Sequence, residues 1–102
     1  MSRNETTDVC FALENKGATE LSALSASFQP RLDFTVVRSP QVPDRLTAGA
    51  SARLRYGLHA PERINLSTQY NRESYAQWSA TMQSPAGPRM AHAWVKIEMQ
   101  QP

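Results

Sequence analysis

Two arginines that stand two residues apart are the most suggestive charged groups in this sequence. Arg53 and Arg55 lie in a segment where apolar residues take every second position. This period is typical of a β-strand with one buried and one solvated face, so both arginines should project from the solvated face. His59 follows on that face, and Arg63 lies just beyond it. Such a row could bind an acidic peptide or a phosphate, or it could pair with acidic residues on a neighbouring strand.

Trp94 is the second candidate, because it falls on the polar side of a later alternating segment. It stands between His92 and Lys96 on that side. An exposed tryptophan is costly unless something covers it, so it indicates an interface, a partner or a terminal loop that packs over it. Together with Tyr75 it would also offer stacking rings to a carbohydrate. Trp78 falls on an apolar face instead, and we expect it in the core.

The residue types that catalysis or metal binding needs occur only at scattered positions. The two histidines and the single cysteine do not supply the three or four ligands of a zinc site. The carboxylates stand singly, and there is no Gly-x-Ser-x-Gly elbow and no glycine-rich phosphate loop. Cys10 lies between Val9 and Phe11, so we expect a buried thiol. The sequence therefore predicts neither an enzyme nor a metal or other cofactor.

Size and charge exclude several further classes of protein. The chain has 102 residues, which is the length of one domain, and its single cysteine excludes an intrachain disulfide. Its net charge is +2, and few aromatic residues accompany the arginines, which argues against nucleic acid as a partner. No segment is long and apolar enough for a transmembrane helix, and the polar N-terminus does not resemble a signal peptide. We expect a cytoplasmic protein, or a domain of a longer chain.

Period-two alternation predicts seven short strands, separated by turns rich in Gly, Pro and Asn. The predicted strands cover residues 9–13, 24–28, 32–36, 51–61, 64–70, 76–82 and 91–99. In the fourth of them, Leu54, Tyr56 and Leu58 are expected in the core. Residues 1–8 are expected to be a flexible lead-in to a single domain over 9–102. Seven such strands are typical of a two-sheet sandwich, and a closed barrel is the alternative.

Several short motifs occur in an order that resembles a known family. They are Ala18-Thr-Glu-Leu21, Ser27-Phe-Gln-Pro-Arg31, the strand Asp33-Phe-Thr-Val-Val37 and the loop Ser39-Pro40. Over residues 9–72 this order resembles the ear (appendage) domain of gamma-type clathrin adaptors. The resemblance implies an immunoglobulin-like sandwich that binds short aromatic and acidic peptides on a basic and apolar surface, and it places Arg31 and Arg63 there. The family's first strand has no counterpart in this sequence.

The sequence as a whole predicts an all-β, immunoglobulin-like sandwich of about seven antiparallel strands that acts as a non-catalytic protein-interaction module. One route is capture of a peptide or partner protein by Arg31, Arg53, Arg55, Arg63 and Trp94. Another is the addition of a partner's strand to an open sheet edge. The alternatives are a structural or assembly subunit of a larger envelope, secretion or viral-particle complex, a homo-oligomer among them, and a carbohydrate-binding module.

Overall fold

Seven β-strands and one short helix make up the regular structure of the described residues. The computed structural model describes residues 1–31 and 33–100, without the side chain of Tyr70. The elements in chain order are β1 (Thr6–Glu14), β2 (Leu21–Gln29), β3 (Thr35–Arg38), β4 (Arg45–Leu46), β5 (Ser51–His59), α1 (Gln69–Arg72), β6 (Glu73–Ser84) and β7 (Gly87–Glu98). Over the described residues, no helix has the length and apolar character needed to span a membrane.

The strands form two antiparallel sheets. One sheet has three strands in the order β1-β5-β3, and the other has four in the order β4-β2-β6-β7. β1 and β5 pair over nine residues in a regular register, from Thr6 opposite His59 to Glu14 opposite Ser51. β6 and β7 form a long hairpin closed by the two residues between Ser84 and Gly87. The predicted all-β fold with two antiparallel sheets is confirmed.

Aromatic side chains from both sheets meet in the core. Phe11 on β1 stacks on Trp78 of β6 with ring centroids 5.1 Å apart, and its centroid lies 5.3 Å from that of Phe28 on β2. Tyr56 on β5 completes the cluster, and its hydroxyl accepts a hydrogen bond from the Trp78 indole N–H at 3.2 Å. Because the four rings come from opposite sheets, they hold the sheets face to face as in a β-sandwich.

The alternation of β1 and β5 decides which side chains enter the core. On β5 the predicted burial of Leu54 and Leu58 is confirmed, since each is only 1% exposed. On β1, Phe11 and Leu13 point inwards, so Cys10 lies on the opposite face and is exposed. The expectation of a buried Cys10 is wrong, because the period of the strand outweighs the apolar character of the immediate neighbours.

The predicted strand over residues 64–70 is wrong. This segment is irregular and leads into α1. The Asn65 side-chain oxygen accepts from the Ser67 N–H at 3.0 Å, and the Thr68 hydroxyl accepts from the Asn71 N–H at 3.3 Å and caps the helix. Such local bonds compete with strand pairing for the same backbone groups. The seventh strand is instead the short β4, which pairs with the start of β2.

The first and third predicted strands begin at other residues in the structure. β1 begins at Thr6 rather than Val9, so the domain boundary expected after residue 8 falls inside a strand. The preceding residues are hydrogen bonded as well, since the Asn4 N–H donates to the Pro61 carbonyl at 3.1 Å. The predicted third strand is represented by β3, which begins at Thr35. Leu32, which was assigned to that strand, lies outside the described residues.

The Asn15 side chain stabilises the turn that follows β1, so we expect its replacement to lower the stability of the protein. Its side-chain nitrogen donates to the Thr19 and Leu46 carbonyls at 2.8 and 2.9 Å, and its side-chain oxygen accepts from the Gly17 N–H at 3.0 Å. Because Asn15 is 4% exposed, water cannot replace these bonds. We expect Asn15→Ala to lower the free energy of unfolding by about 2 kcal/mol, measured by urea denaturation. The exposed Asn65→Ala is the matched control, and an equal loss in both variants would contradict the assignment.

Candidate functional site

The sandwich is open along the side where β1 and β7 lie. In the part of the chain that the structure describes, β1 pairs only with β5, and β7 pairs only with β6. A groove of about 350 Å³ runs between these two outer strands. Its lining includes the apolar Val9 on β1 and Val95 and Ile97 on β7, together with the charged residues Glu5, Lys96 and Glu98. Met1 reaches one end of it, where its amino nitrogen donates to the Glu98 carbonyl at 2.8 Å. Apolar side chains that pack against the core are thus accessible from this side.

β1 is the less protected of the two long edges. Its nine residues contain neither proline nor lysine, and they pair with β5 without a bulge. β7 contains Pro88 and Lys96, and Met1 is hydrogen bonded to its end. Proteins commonly block edge strands with proline, lysine, bulges or covering segments. The edges at β3 and β4 are only four and two residues long, so β1 is the best template for an additional strand.

The backbone of β1 presents polar groups to the open side at every second residue. The Glu5 carbonyl accepts from the Ala60 N–H at 2.8 Å, and the Asn15 N–H donates to the Ala50 carbonyl at 2.9 Å. Odd-numbered residues therefore bond towards β5. In an antiparallel ladder the direction alternates, so the even-numbered residues turn their N–H and C=O groups away from β5. These residues are Thr6, Asp8, Cys10, Ala12 and Glu14.

Arg53 and Arg55 lie on the outer face of the three-stranded sheet, where the alternation predicts them. Both are exposed, and the register places Arg53 opposite Ala12 and Arg55 opposite Cys10 on β1. Neither side chain forms a hydrogen bond or an ion pair with any described residue. Two cationic groups therefore stand next to small side chains, one strand away from the open edge.

Arg38 lies on the same face but is already paired. Its guanidinium lies 2.7 Å from the Asp8 carboxylate, which it reaches by crossing β5 above Gly57. A Cβ atom at Gly57 would lie only 3.0 Å from the Cβ of Arg38. The glycine therefore leaves room for the arginine to cross the strand. Arg38 and Asp8 neutralise each other, in contrast to Arg53 and Arg55.

The other two predicted arginines lie in connections between strands. Arg31 follows β2 and forms an ion pair with Asp33 at 2.9 Å, with its side chain 14% exposed. Arg63 is exposed in the irregular segment between β5 and α1. Neither residue lies on the strand face that carries Arg53 and Arg55. Peptide capture by Arg31 and Arg63 stays a prediction.

The histidines lie on different sheets and have different surroundings. His59 is half-buried at the end of β5, where its ring nitrogens lie 2.7 Å from the Thr6 hydroxyl and 3.0 Å from the Asn4 side-chain oxygen. His92 is exposed on β7. Within residues 1–31 and 33–100, no three His, Cys, Asp or Glu side chains lie close enough together to hold a metal ion.

Trp94 lies on the outer face of the four-stranded sheet. It is 64% exposed, and Met90 and Tyr75 on the same face are 64% and 61% exposed. Trp94 stands opposite Gln77 on β6, which in turn stands opposite Gln29 on β2. The centre of this face therefore consists of polar side chains, His92 among them, beside large exposed ones.

Charged side chains lie at both ends of this second face: Arg45 of β4 at one, in line with Ser22 and Gln83, and a cluster of three at the other. The Lys96 ammonium lies 3.0 Å from the Glu98 carboxylate and 3.8 Å from that of Glu73. The hydrogen bond to Glu98, followed by the negative charge of Glu73, raises the pKa of Lys96 above its ordinary value. The group holds one ammonium against two carboxylates, so an excess negative charge remains at the end of the face that follows Trp94.

Together, the fold and the site define an all-β domain with one long unprotected edge next to two unpaired arginines. No protein-family model matches this chain, and no curated protein sequence matches it significantly. The resemblance to the ear domain of gamma-type clathrin adaptors therefore stays a prediction.

β1 is a candidate functional element that the sequence does not reveal. The alternation predicts part of this strand as a flexible lead-in, and the neighbours of Cys10 predict it in the core. One signal was available, since no proline or lysine occurs between Thr6 and Glu14. That signal has a meaning only for an edge strand, and alternation alone does not reveal which strands lie at edges.

Proposed function

We propose that this protein is a non-catalytic protein-interaction module that binds an extended segment of a partner protein as an additional strand on β1. The observation that carries the proposal is the free, regular edge of β1 beside the groove between β1 and β7. In this mode of binding, backbone hydrogen bonds supply affinity and every second side chain supplies specificity. Inward side chains of the partner would pack against Val9 and Val95.

The strand order supports an immunoglobulin-like interpretation of the same edge. In a constant-type immunoglobulin sandwich, strands B, E and D lie side by side in one sheet, C, F and G form the other, and A lies beside B. The orders β1-β5-β3 and β2-β6-β7 correspond to B-E-D and C-F-G, and β4 is an added edge. The open side of β1 is then the position of strand A. A partner's strand at this position would complete the sandwich.

A nine-residue fluorescent peptide in which valine and glutamine alternate tests the proposal. Fluorescence anisotropy should show saturable binding. The backbone groups of the four glutamines can pair with β1 while the valine side chains enter the groove. A peptide of the same composition plus a central proline is the control, since proline removes an N–H donor and interrupts pairing. Equal binding of the two peptides, or binding of neither, would contradict strand addition.

Assembly through the second face is a further candidate, favoured by the exposed Trp94 and Met90 between its two charged ends. Aromatic residues and methionine are enriched in interfaces, and lysine and glutamate are depleted there. If this face joins copies of the chain, light scattering should give a mass above the 11.4 kDa of one chain. Trp94→Ala should then restore the monomer, whereas Val37→Ala, which alters an exposed side chain outside this face, should not. A monomeric wild-type protein would exclude homo-oligomerisation by this face.

Carbohydrate binding is an alternative function for the same surface, and a different measurement tests it. Trp94 and Tyr75 both present exposed rings next to Gln77. Aromatic rings beside planar polar groups can stack on a sugar and bond its hydroxyls. Retention on polysaccharide resins that Trp94→Ala removes would support this function, and passage of the wild-type protein without delay would contradict it.

A further inference from the structure

We infer that β1 selects a partner strand that carries two acidic residues at positions i and i+2. The inference rests on the proposed function and names the chemistry of the partner. It follows from the charges and side-chain sizes on the outer face of the three-stranded sheet. The relevant residues are Arg53 and Arg55 on β5 and the outward side chains of β1.

The two arginines are available to a ligand on the open side. They are exposed, and no described residue pairs with them, whereas Arg38 on the same face is held by Asp8. Their guanidinium groups suit carboxylates, which they can bind through two parallel N–H···O bonds. Two residues apart on one strand face, they match two carboxylates with the same spacing on a parallel or antiparallel neighbour.

Small side chains on β1 leave a path between the arginines and an added strand. Such a strand would lie two strand spacings from β5, which is about 10 Å. Ala12 and Cys10 stand between it and Arg53 and Arg55. Because neither side chain is large, guanidinium and carboxylate groups can approach each other above β1 from its two sides.

The ends of the same row restrict acidic residues to the centre of the partner. Asp8 and Glu14 flank Cys10 and Ala12 on the outer face of β1. A carboxylate opposite Glu14 would meet a like charge, which destabilises strand pairing, and one opposite Asp8 would meet a carboxylate whose cation, Arg38, is already paired. The partner should therefore be acidic at the two central outward positions and neutral or basic at the outer ones.

A second copy of β1 does not satisfy this pattern. Its outward acidic residues are Asp8 and Glu14, which lie six residues apart (14 − 8). No register therefore places acids opposite both Cys10 and Ala12. No other two acidic residues of these 102 stand at positions i and i+2 either, so the occupant that fits the charges is a strand from a partner protein.

Two probe peptides of identical composition test the inference. The first is Val-Gln-Val-Glu-Val-Glu-Val-Gln-Val, with adjacent outward glutamates at its centre. The second is Val-Glu-Val-Gln-Val-Gln-Val-Glu-Val, in which the glutamates are six residues apart and cannot both reach the arginines. We expect the first to bind about fivefold more tightly at low salt, as two partly exposed ion pairs would give. This preference should weaken as the salt concentration rises.

Variants of the protein assign the preference to the two arginines. Arg53→Gln combined with Arg55→Gln should remove the advantage of the first peptide over the uncharged valine–glutamine peptide, whose own affinity should stay unchanged. The matched control, Arg45→Gln combined with Arg89→Gln, removes two exposed arginines from other strands and should retain the difference.

The outcomes separate this inference from the proposed function. Binding of all three peptides with equal affinity would overturn the acidic preference and leave strand addition intact. A preference for the first peptide over the valine–glutamine peptide that survives in the Arg53 and Arg55 double variant would also overturn it. Binding of none would overturn the proposed function and the inference together. An increase in the mass of the unliganded protein with concentration, reversed by the peptides, would identify a second copy as the occupant and contradict a different partner.

Discussion

The Cys10→Pro variant is expected to lose at least about tenfold in affinity for the valine–glutamine peptide, because proline offers no N–H to an added strand and blocks the edge. The Cys10 N–H points away from β5, so the β1–β5 ladder keeps its hydrogen bonds. We therefore expect the free energy of unfolding to fall by less than about 1 kcal/mol, as for a proline on the solvent side of an edge strand. Anisotropy and urea denaturation measure the two quantities.

Two control variants separate the loss of the N–H donor from the loss of the thiol and from unfolding. Cys10→Ala keeps the backbone donor and should bind the peptide as the wild-type protein does, which excludes a role of the thiol. Phe11→Pro removes a donor that faces β5 and a core ring, and it should unfold the protein. A Cys10→Pro variant that is folded and binds with unchanged affinity would contradict strand addition at β1.

The Trp78→Ala variant is expected to lose about 4 kcal/mol of the free energy of unfolding, as large truncations of buried aromatic residues do. Trp78 is 2% exposed, stacks on Phe11 and donates to the Tyr56 hydroxyl, so its removal leaves a cavity between the sheets and an unpaired buried hydroxyl. A domain of this size is stable by about 5–15 kcal/mol, so this loss is a large part of the total. Urea denaturation of the pure protein measures it.

Trp94→Ala is the matched control, because the same side chain is removed from an exposed position. We expect a change within about 0.5 kcal/mol, as is usual for surface substitutions. Comparable losses in the two variants would contradict the assignment of Trp78 to the core between the sheets.

Period-two alternation was sufficient to predict the all-β class and the faces of the long strands. It placed Trp78 inside and Trp94 outside, and it put Arg53 and Arg55 on the face opposite Leu54. These predictions hold because successive side chains of a strand point to opposite faces whatever its neighbours are. The face of a residue is thus a local property.

The open edge could not be predicted in this way, because pairing order depends on contacts between distant segments. Nothing in the alternation of β1 shows that it pairs with β5 and with no other described strand. The failed strand over residues 64–70 has a local cause instead, since Asn65 and Thr68 bond nearby backbone groups. The side chains around the site were thus predictable, whereas the free edge that defines it was not.

Amide hydrogen exchange measured by NMR, with and without the Val-Gln-Val-Glu-Val-Glu-Val-Gln-Val peptide, tests strand addition most directly. The amides of Asp8, Cys10 and Ala12 face the open side and should exchange much more slowly when the peptide is bound, because an added strand would accept their hydrogen bonds. The amides of Val9 and Phe11, which already face β5, should change little. Unchanged exchange along β1 with protection on β7 or around Trp94 would contradict the proposed site.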